Sequence, residues 1–403
     1  MSIVVVLGTM DTKGYELAYV RDVVAAQDVD TLLVDMGVIE PPPVAPDITR
    51  QEVARLAGIN LDDIVAKRDR GEAVAAMTAA ARIVARKLFE EGRLQGIISL
   101  GGSAGTTIGT AAMQVLPVGV PKVMVSTLAS GDTRPYVGTK DIAMMYSVVD
   151  ISGLNRLSRH ILANAALAVA GMVKGEIKDE VQDKPLLAAT MFGVTTPCVT
   201  KAREYLEHKG YEVLVFHATG SGGKAMEGLI EDGFISGVLD ITTTEWCDEL
   251  VGGVLTAGPQ RLEAAGKMGI PQVVSVGALD MVNFGPPDTV PVKFSNRRFY
   301  QHNPTVTLMR TTKEECAELG KIIADKLNAA QGPTIVMLPL KGVSMIDAEG
   351  KAFYDPEADA TLFATLKENL RPGIHVVELD NNINDPEFSL ALAQALEGLL
   401  AKR

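Results

Sequence analysis

The chain has 403 residues, which is enough for two domains of ordinary size, each with its own core. Its net charge of -12 argues against a nucleic-acid-binding surface, because phosphate backbones require clustered Lys and Arg. The three cysteines are odd in number and widely spaced, so we expect neither a disulfide framework nor a metal site, but a cytoplasmic protein. We find no apolar run that could span a membrane and no secretory signal.

Short apolar runs alternate with longer stretches of helical periodicity, which is typical of parallel sheets covered by helices. The pattern predicts an α/β fold with two Rossmann-like, doubly wound parallel-sheet lobes facing a cleft. In the first lobe, residues 1–180, we predict strands at 3–7, 31–34, 96–100 and 123–126 and helices at 13–26, 72–91, 106–115 and 161–173. In the second lobe, residues 185–403, we predict strands at 186–190, 212–216, 237–240, 273–276, 334–338 and 375–379 and helices at 359–369 and 387–400.

The two halves are similar enough to suggest a diverged duplication. Each begins with a strand followed by a loop of small residues, at 8–12 and at 193–197, and the first half carries an insertion around residues 41–71. The alternative is that any two doubly wound lobes share such features. The charged stretch at 174–184 is the predicted boundary.

Three loops at predicted strand ends in the first lobe have the composition of a phosphate site. Small residues let the backbone approach a ligand, helix N-terminal amides attract anions, and Asp11 is a candidate Mg²⁺ ligand. The alternatives are an ordinary helix cap with Lys13 in solvent, a tight turn without a ligand, and a surface pair between Asp132 and Arg134. The predicted cofactor-binding residues are Gly8, Thr9, Asp11, Thr12, Lys13, Gly101, Gly102, Ser103, Ala104, Gly105, Thr106, Ser126, Gly131 and Asp132.

A glycine-rich turn at 217–225 in the second lobe is similar to a P-loop but does not match its pattern. The pattern requires Gly at position 218 and Ser or Thr at position 225, and both are Ala. Anion binding by Gly220, Gly222, Gly223 and Lys224 remains a hypothesis. His217, at the strand end, is a candidate general acid or base, although a buried structural His is an equal alternative.

Other polar residues follow later strands of the second lobe. Thr243, Glu245, Asn283 and Arg297 are predicted to contact a substrate. Asp248 and the pair His302 and Asn303 are added to His217 as candidate catalytic residues, with a structural role near a Pro turn as the alternative for the pair. The strict dinucleotide fingerprint GxGxxG is absent, which disfavours NAD.

Three motifs together resemble a known family: residues 7–14, residues 101–106, and the segment from Arg298 to Thr312. It is the family of uncharacterised bacterial and fungal proteins related to the ATP-binding N-terminal domain of the tomato mosaic virus resistance protein. The resemblance covers essentially the whole chain. It implies a two-lobed fold, ATP held by the loops of the first lobe, a homodimer, and a TIM-barrel-like partner as a separate polypeptide.

The leading hypothesis is an enzyme that uses Mg-ATP on a small anionic metabolite between the lobes, as a kinase or an ATP-dependent ligase. The first alternative is a non-catalytic module in which the nucleotide controls binding of a partner protein. The second is an enzyme that binds a phosphosugar without ATP. The expected ligands are therefore a nucleotide, Mg²⁺ and a small anionic metabolite, with no nucleic acid and no membrane.

Overall fold

The computed structural model describes residues 2–175 and 183–402. The chain divides into two compact units, Met1–Glu180 and Val181–Arg403. Most of the charged stretch predicted as the boundary, residues 176–182, lies outside the described residues. None of the helices in the described part of the chain is long and apolar enough to cross a membrane.

The N-terminal unit is built on a five-stranded parallel sheet with strand order β2-β1-β3-β4-β5. The strands are β1 Ile3–Gly8, β2 Asp30–Asp35, β3 Gly96–Gly101, β4 Lys122–Ser126 and β5 Ala143–Tyr146. The helices are α1 Met10–Ala25, α2 Arg50–Ala57, α3 Leu61–Lys67, α4 Arg70–Glu90, α5 Ser103–Gln114, α6 Arg134–Val137 and α7 Arg156–Lys174.

Helices cover both faces of this sheet, which explains why its central strands are uninterrupted apolar runs. Val5 and Leu7 of β1 pack on one face with side chains of α4 and α5. Val4 and Val6 point to the opposite face and pack with side chains of α1 and α7. The alternation of side chains along β1 therefore joins two hydrophobic cores through one strand.

The C-terminal unit has a six-stranded parallel sheet of order β14-β13-β9-β8-β6-β7 and a three-stranded antiparallel sheet of order β10-β12-β11. The strands are β6 Leu186–Met191, β7 Glu212–His217, β8 Gly237–Thr242, β9 Gln272–Gly277, β10 Met281–Phe284, β11 Phe299–Asn303, β12 Val306–Arg310, β13 Thr334–Pro339 and β14 His375–Leu379. The helices are α8 Thr196–His208, α9 Ser221–Glu231, α10 Glu245–Val251, α11 Ala264–Lys267, α12 Lys313–Asn328, α13 Pro356–Asn369 and α14 Pro386–Leu400, with short 3-10 turns at Gly193–Thr195, Pro287–Thr289 and Val292–Phe294.

The predicted α/β class with parallel sheets is confirmed in both units, and each predicted strand is present. The helix predicted at 13–26 begins three residues earlier, and Lys13 itself has a non-helical backbone. The sequence analysis gave no bounds for β5, for the helices α2, α3, α6 and α8 to α12, or for the antiparallel sheet. Short helices within an insertion and an exposed strand such as β11 lack the apolar periodicity on which such predictions depend.

The two parallel sheets follow the same order along the chain. In each, the second strand lies on one side of the first, and the third and later strands lie on the other side. This order places a topological switch point between β1 and β3 and another between β6 and β8, and ligands of open α/β sheets bind at such points. Unrelated doubly wound domains also share this order, so the duplication stays a prediction.

Candidate functional site

A cavity of about 820 Å³ lies in the N-terminal unit, where the loops that follow β1 and β3 meet. This is the carboxyl end of the two strands that flank the switch point. Two of the three loops predicted from the sequence therefore line one cavity. The lining residues from these loops are Thr9, Asp11, Thr12, Lys13, Gly101, Gly102, Ser103, Ala104 and Gly105.

Two glycines let α5 begin directly after β3. A Cβ on Gly101 would lie 2.8 Å from the Cα of Gly105, and a Cβ on Gly105 would lie 3.1 Å from the carbonyl oxygen of Leu100. Larger residues would push the helix away from the strand. Glycine at these positions therefore keeps the first turn of α5 at the cavity.

The N-terminus of α5 has no side-chain cap, because its N-cap residue is Gly102. The first backbone hydrogen bond of the helix runs from the Thr106 amide to the Gly102 carbonyl, at 2.8 Å. By helix geometry the amides of residues 103–105 then have no acceptor within the helix, and the described residues supply none from elsewhere. These three amides and the positive end of the helix dipole are suited to an anion.

Asp11 holds the segment that follows β2, residues 36–40, which we call the wall segment. Its Oδ2 accepts hydrogen bonds from the amides of Val38, at 3.0 Å, and Ile39, at 2.9 Å. A Cβ on Gly37 would lie 2.6 Å from the Cγ of Asp11, so only glycine admits the carboxylate here. One oxygen of Asp11, the predicted Mg²⁺ ligand, is thus already used by the protein.

Asp35, at the end of β2, fixes the other end of the wall segment. Its Oδ1 accepts from the amides of Met10, at 3.2 Å, and Gly37, at 2.8 Å, while its Oδ2 accepts from Arg50 Nε at 2.8 Å. Arg50 also donates to the carbonyl oxygen of Glu40 at 2.7 Å. Burial raises the pKa of Asp35, although Arg50 and the amide donors oppose this shift. Sequence reasoning missed both residues, whose roles appear only once β2 and α2 are placed side by side.

The remaining walls come from the wall segment and from α3, α4 and α5. They are largely apolar, but they carry two arginines that the sequence analysis did not single out, Arg68 and Arg70. Neither arginine, nor Lys13, forms an ion pair within the described residues. In the sequence, the feature that could have indicated these walls is the insertion around residues 41–71. The apolar lining residues are Met36, Val38, Ile39, Ile64, Val65, Ala73, Val74, Met77 and Ile108.

The other predicted cofactor residues of this unit lie behind or away from the cavity wall. Gly8 faces Leu17, whose Cδ1 would lie 2.9 Å from an added Cβ. Thr106 and Ser126 are buried and share a hydrogen bond of 2.7 Å, so they support the turn. Gly131 and Asp132 do not line the cavity, and Asp132 forms an exposed pair with Arg134 at 2.8 Å.

In the C-terminal unit, a carboxylate of the protein occupies the glycine-rich turn. Glu245 Oε1 accepts from the amides of Gly220, at 2.7 Å, and Gly223, at 3.1 Å. Its Oε2 accepts from Arg261 Nε at 2.7 Å. Glu245 therefore acts as a built-in anion at the position that the sequence assigned to a substrate.

The candidate catalytic side chains of this unit are not bonded to one another. Within the described residues, no hydrogen bond or ion pair links any two of the candidate catalytic side chains, Asp248, His217, His302 and Asn303. His302 and Asn303 are exposed on β11, and His217 is exposed with its ring 5.5 Å from that of Phe192.

Three more of these residues have structural partners. Burial raises the pKa of Asp248 to about 7, and its carboxylate accepts from the Asn283 amide at 2.6 Å. Thr243 is buried against the Ser275 carbonyl oxygen at 3.2 Å. Arg297 forms an ion pair with Glu315 at 2.6 Å.

Gly222 approaches the His217 carbonyl closely, and Lys224 is exposed on the first turn of α9.

Three buried aspartates of the C-terminal unit share one arginine, and we call them the acid cluster: Asp280, Asp347 and Asp359. Arg310 Nη2 lies 2.7 Å from Asp359 and 3.6 Å from Asp347, and Ser344 donates to Asp280 at 2.8 Å. Burial, and then repulsion from Asp347, raises the pKa of Asp280 to about 7 and that of Asp359 to about 8. No group of three or more His, Cys, Asp or Glu in the described chain, this cluster included, is placed to hold a metal ion.

Comparison with known proteins identifies the family. Residues 2–178 match the N-terminal domain, and residues 184–400 the C-terminal domain, of an uncharacterised protein family (UPF0261). The chain belongs to the UPF0261 family. A UPF0261 protein of Clostridium tetani is 57% identical over 400 residues, which is 99% of both chains.

A tomato relative extends the family to plants. The ToMV resistance protein Tm-1(GCR237) of Solanum lycopersicum is 48% identical over 333 residues, covering 81% of this chain and 44% of that protein. A solved structure, the S. aureus MnaA-UDP co-structure, matches 94% of this chain and 100% of its own with 12% identity and a TM-score of 0.21, too low to support any argument. The family inferred from the sequence motifs is therefore confirmed, and ATP binding stays a prediction.

Replacing Glu245 tests the built-in anion. Glu245→Ala leaves Arg261 without one of its buried partners and two glycine amides without an acceptor, so we expect a loss of about 3–5 kcal/mol in the free energy of unfolding. Trp246, the single tryptophan of the chain, reports urea unfolding of this unit by fluorescence. Glu231→Ala, an exposed change at the end of α9, is the control. A loss below about 1 kcal/mol, as for a surface substitution, would contradict the role given to Glu245.

The acid cluster predicts a stability that falls as pH rises. Folding raises the pKa of Asp280 and Asp359 far above the unfolded value, so the folded state binds more protons. Their contribution is complete below about pH 4 and is lost as pH rises from there through 7 to 8, at up to about 1.4 kcal/mol per pH unit for each proton. Asn has nearly the shape of Asp but does not titrate. Between pH 6 and 9, the unfolding free energy of Asp359→Asn should therefore change less than that of the unchanged protein, as measured by Trp246 fluorescence. If the unfolding free energy fell equally with pH in the two proteins, the raised pKa given to Asp359 would be wrong.

Proposed function

We propose that the N-terminal unit binds ATP together with Mg²⁺ in the cavity between the β1 and β3 loops. We further propose that the protein is an enzyme, a kinase or an ATP-dependent ligase, that uses this nucleotide on a small anionic metabolite. The observation that carries the proposal is the uncapped N-terminus of α5, which opens into a cavity that also contains Lys13 and an apolar wall.

The α5 end of the cavity suits the phosphates. Three backbone amides without an acceptor, the helix dipole and the Lys13 ammonium group all favour negative charge at one place. Lys13 forms no ion pair within the described residues, although the chain carries an excess of acidic side chains. A ligand with several negative charges satisfies these groups better than a neutral one.

The apolar walls of the cavity suit an aromatic base. Val38 and Ile39 of the wall segment and Val74 and Met77 of α4 supply apolar surface to the cavity. A volume of about 820 Å³ lies within the usual range for sites that enclose a ligand of nucleotide size. A mixture of apolar and anion-binding walls favours a nucleotide over a phosphosugar, which has no large apolar face.

The cavity fits a magnesium ion carried by the phosphates rather than one held by the protein alone. Asp11 has one oxygen committed to the wall segment, and no carboxylate cluster of metal-binding size occurs in the described residues. Mg²⁺ is commonly bound by one or two carboxylates, water and substrate phosphates, and it neutralises phosphate charge when bound. Asp11 and Asp150 are the carboxylates of the cavity that are suited to this role.

An enzymatic role does not require the catalytic histidines that the sequence suggested. Phosphoryl transfer depends mainly on positioning and charge neutralisation, which amides and Lys13 can supply. Glu245 fills the turn that the sequence assigned to the metabolite, so the metabolite binds elsewhere. The homodimer and the separate TIM-barrel-like partner implied by the family resemblance stay predictions.

Calorimetric titration of ATP, with and without Mg²⁺, tests the proposal. Lys13→Ala removes one charged contact and should weaken ATP binding by about 10- to 100-fold. Lys87→Ala removes an exposed lysine of α4 that pairs with Glu91, and it should bind ATP like the unchanged protein. No binding by the unchanged protein, or equal binding by Lys13→Ala, would refute the assignment of ATP to this cavity.

A second assay separates an enzyme from a non-catalytic module. Phosphate and ADP release from Mg-ATP is followed in the presence of small carboxylates and sugar acids. Stimulation by one class of metabolite, lost in Lys13→Ala, is the expected result. Tight ATP binding with no turnover under any condition would instead support the module that controls a partner protein.

A further inference from the structure

The short helix α3 covers one side of the cavity without belonging to the core. None of its residues, Leu61–Lys67, is buried. Ile64 and Val65 nevertheless line the cavity, as does Arg68, which follows the helix directly. A helix that buries no side chain has little to hold it in one place, so it belongs to the parts of the fold that open most readily.

The segment from Gly58 to Arg68, which contains α3, has a left-handed backbone conformation at each end. Gly58, which ends α2, has φ of 67°, and a Cβ there would meet nothing within 4 Å. Arg68, which ends α3, has φ of 51°. Glycine is the usual residue at such a position, because a Cβ there is strained against the neighbouring carbonyl.

The sequence therefore places a long cationic side chain where the backbone favours glycine. Arg68 is exposed, and its guanidinium forms no hydrogen bond or ion pair within the described residues. Its neighbours are engaged, since Lys67 pairs with Glu72 and Asp69 caps α4. Because Arg68 also lines the cavity, its free guanidinium is placed to contact a ligand there.

We propose that Arg68 binds the terminal phosphates of ATP and that α3 closes over the cavity to bring it there. This inference rests on the proposed function of the same cavity. The guanidinium donates a fork of hydrogen bonds that matches a phosphate, and α3 moves as a small body between Gly58 and Arg68. Closure covers Ile64 and Val65, which are partly exposed in this structure, and excludes water from the phosphates.

Arg68→Gly separates a phosphate contact from a structural role. Glycine suits the left-handed backbone, so the midpoint of thermal unfolding should stay the same or rise. The Kd for Mg-ATP should nevertheless increase by about 10-fold or more, while the Kd for AMP, which lacks the terminal phosphates, should change by less than about 2-fold. Arg55→Ala, on the exposed side of α2 and outside the cavity, is the control and should change neither.

Hydrogen exchange tests the closure itself. In the unchanged protein, the amides of residues 61–68 should exchange at least about 10-fold more slowly with Mg-ATP than without it, because α3 becomes ordered over the ligand. In Arg68→Gly the same amides should gain much less protection at equal occupancy of the site. Equal protection in both proteins, or none in either, would refute the proposal that Arg68 draws α3 over the cavity.

Failure of this inference is distinguishable from failure of the proposed function. If the unchanged protein binds no ATP, the assignment of ATP to the cavity is wrong, and the role of Arg68 fails with it. If ATP binds and Lys13→Ala weakens it while Arg68→Gly does not, only the role of Arg68 is wrong. An equal loss of ATP and AMP affinity in Arg68→Gly would show that Arg68 shapes the cavity and does not contact the terminal phosphates.

Discussion

The cavity of the N-terminal unit depends on a single buried carboxylate, Asp35. It joins the amide that begins α1, the amide of Gly37 and the guanidinium of Arg50. These three groups come from α1, the wall segment and α2, and Asp11 and Arg50 add further hydrogen bonds to the wall segment. A charge that is almost fully buried and bonded at both oxygens is costly to disturb, so it holds the wall segment at a fixed distance from the β1 loop.

The two units use the same strand order in opposite ways. In the N-terminal unit, the loops at the switch point leave backbone amides open to a cavity. In the C-terminal unit, Glu245 follows β8 at the switch point and closes the glycine-rich turn after β7, with support from Arg261, which also pairs with Asp240 and Glu227. Fold alone therefore does not determine where a ligand binds; the side chains at the strand ends do.

The sequence predicted the sheets well because buried parallel strands are continuous apolar runs, and these are visible without a structure. Two of the three loops that it predicted for the first lobe line the cavity, since parallel strands bring their carboxyl ends to one edge, but Gly131 and Asp132 of the third loop do not. It could not predict that Glu245 would reach the turn after β7, because that contact joins residues 22 to 25 positions apart through the fold. Arg68 and Arg70 were missed for a related reason, since the sequence does not show where α3 and α4 lie relative to the sheet.

Glu245 also has a consequence for how the two halves respond to their surroundings. A carboxylate on the chain is present at a fixed local concentration, so the glycine-rich turn after β7 is in effect always occupied, whatever the metabolite supply. A site filled from solution instead stabilises its unit by mass action, about 3 kcal/mol at a ligand concentration of about 100 times Kd. Depletion of a ligand of the N-terminal cavity would remove that stabilisation and favour unfolding and proteolysis of its unit, whereas the turn filled by Glu245 would keep its anion.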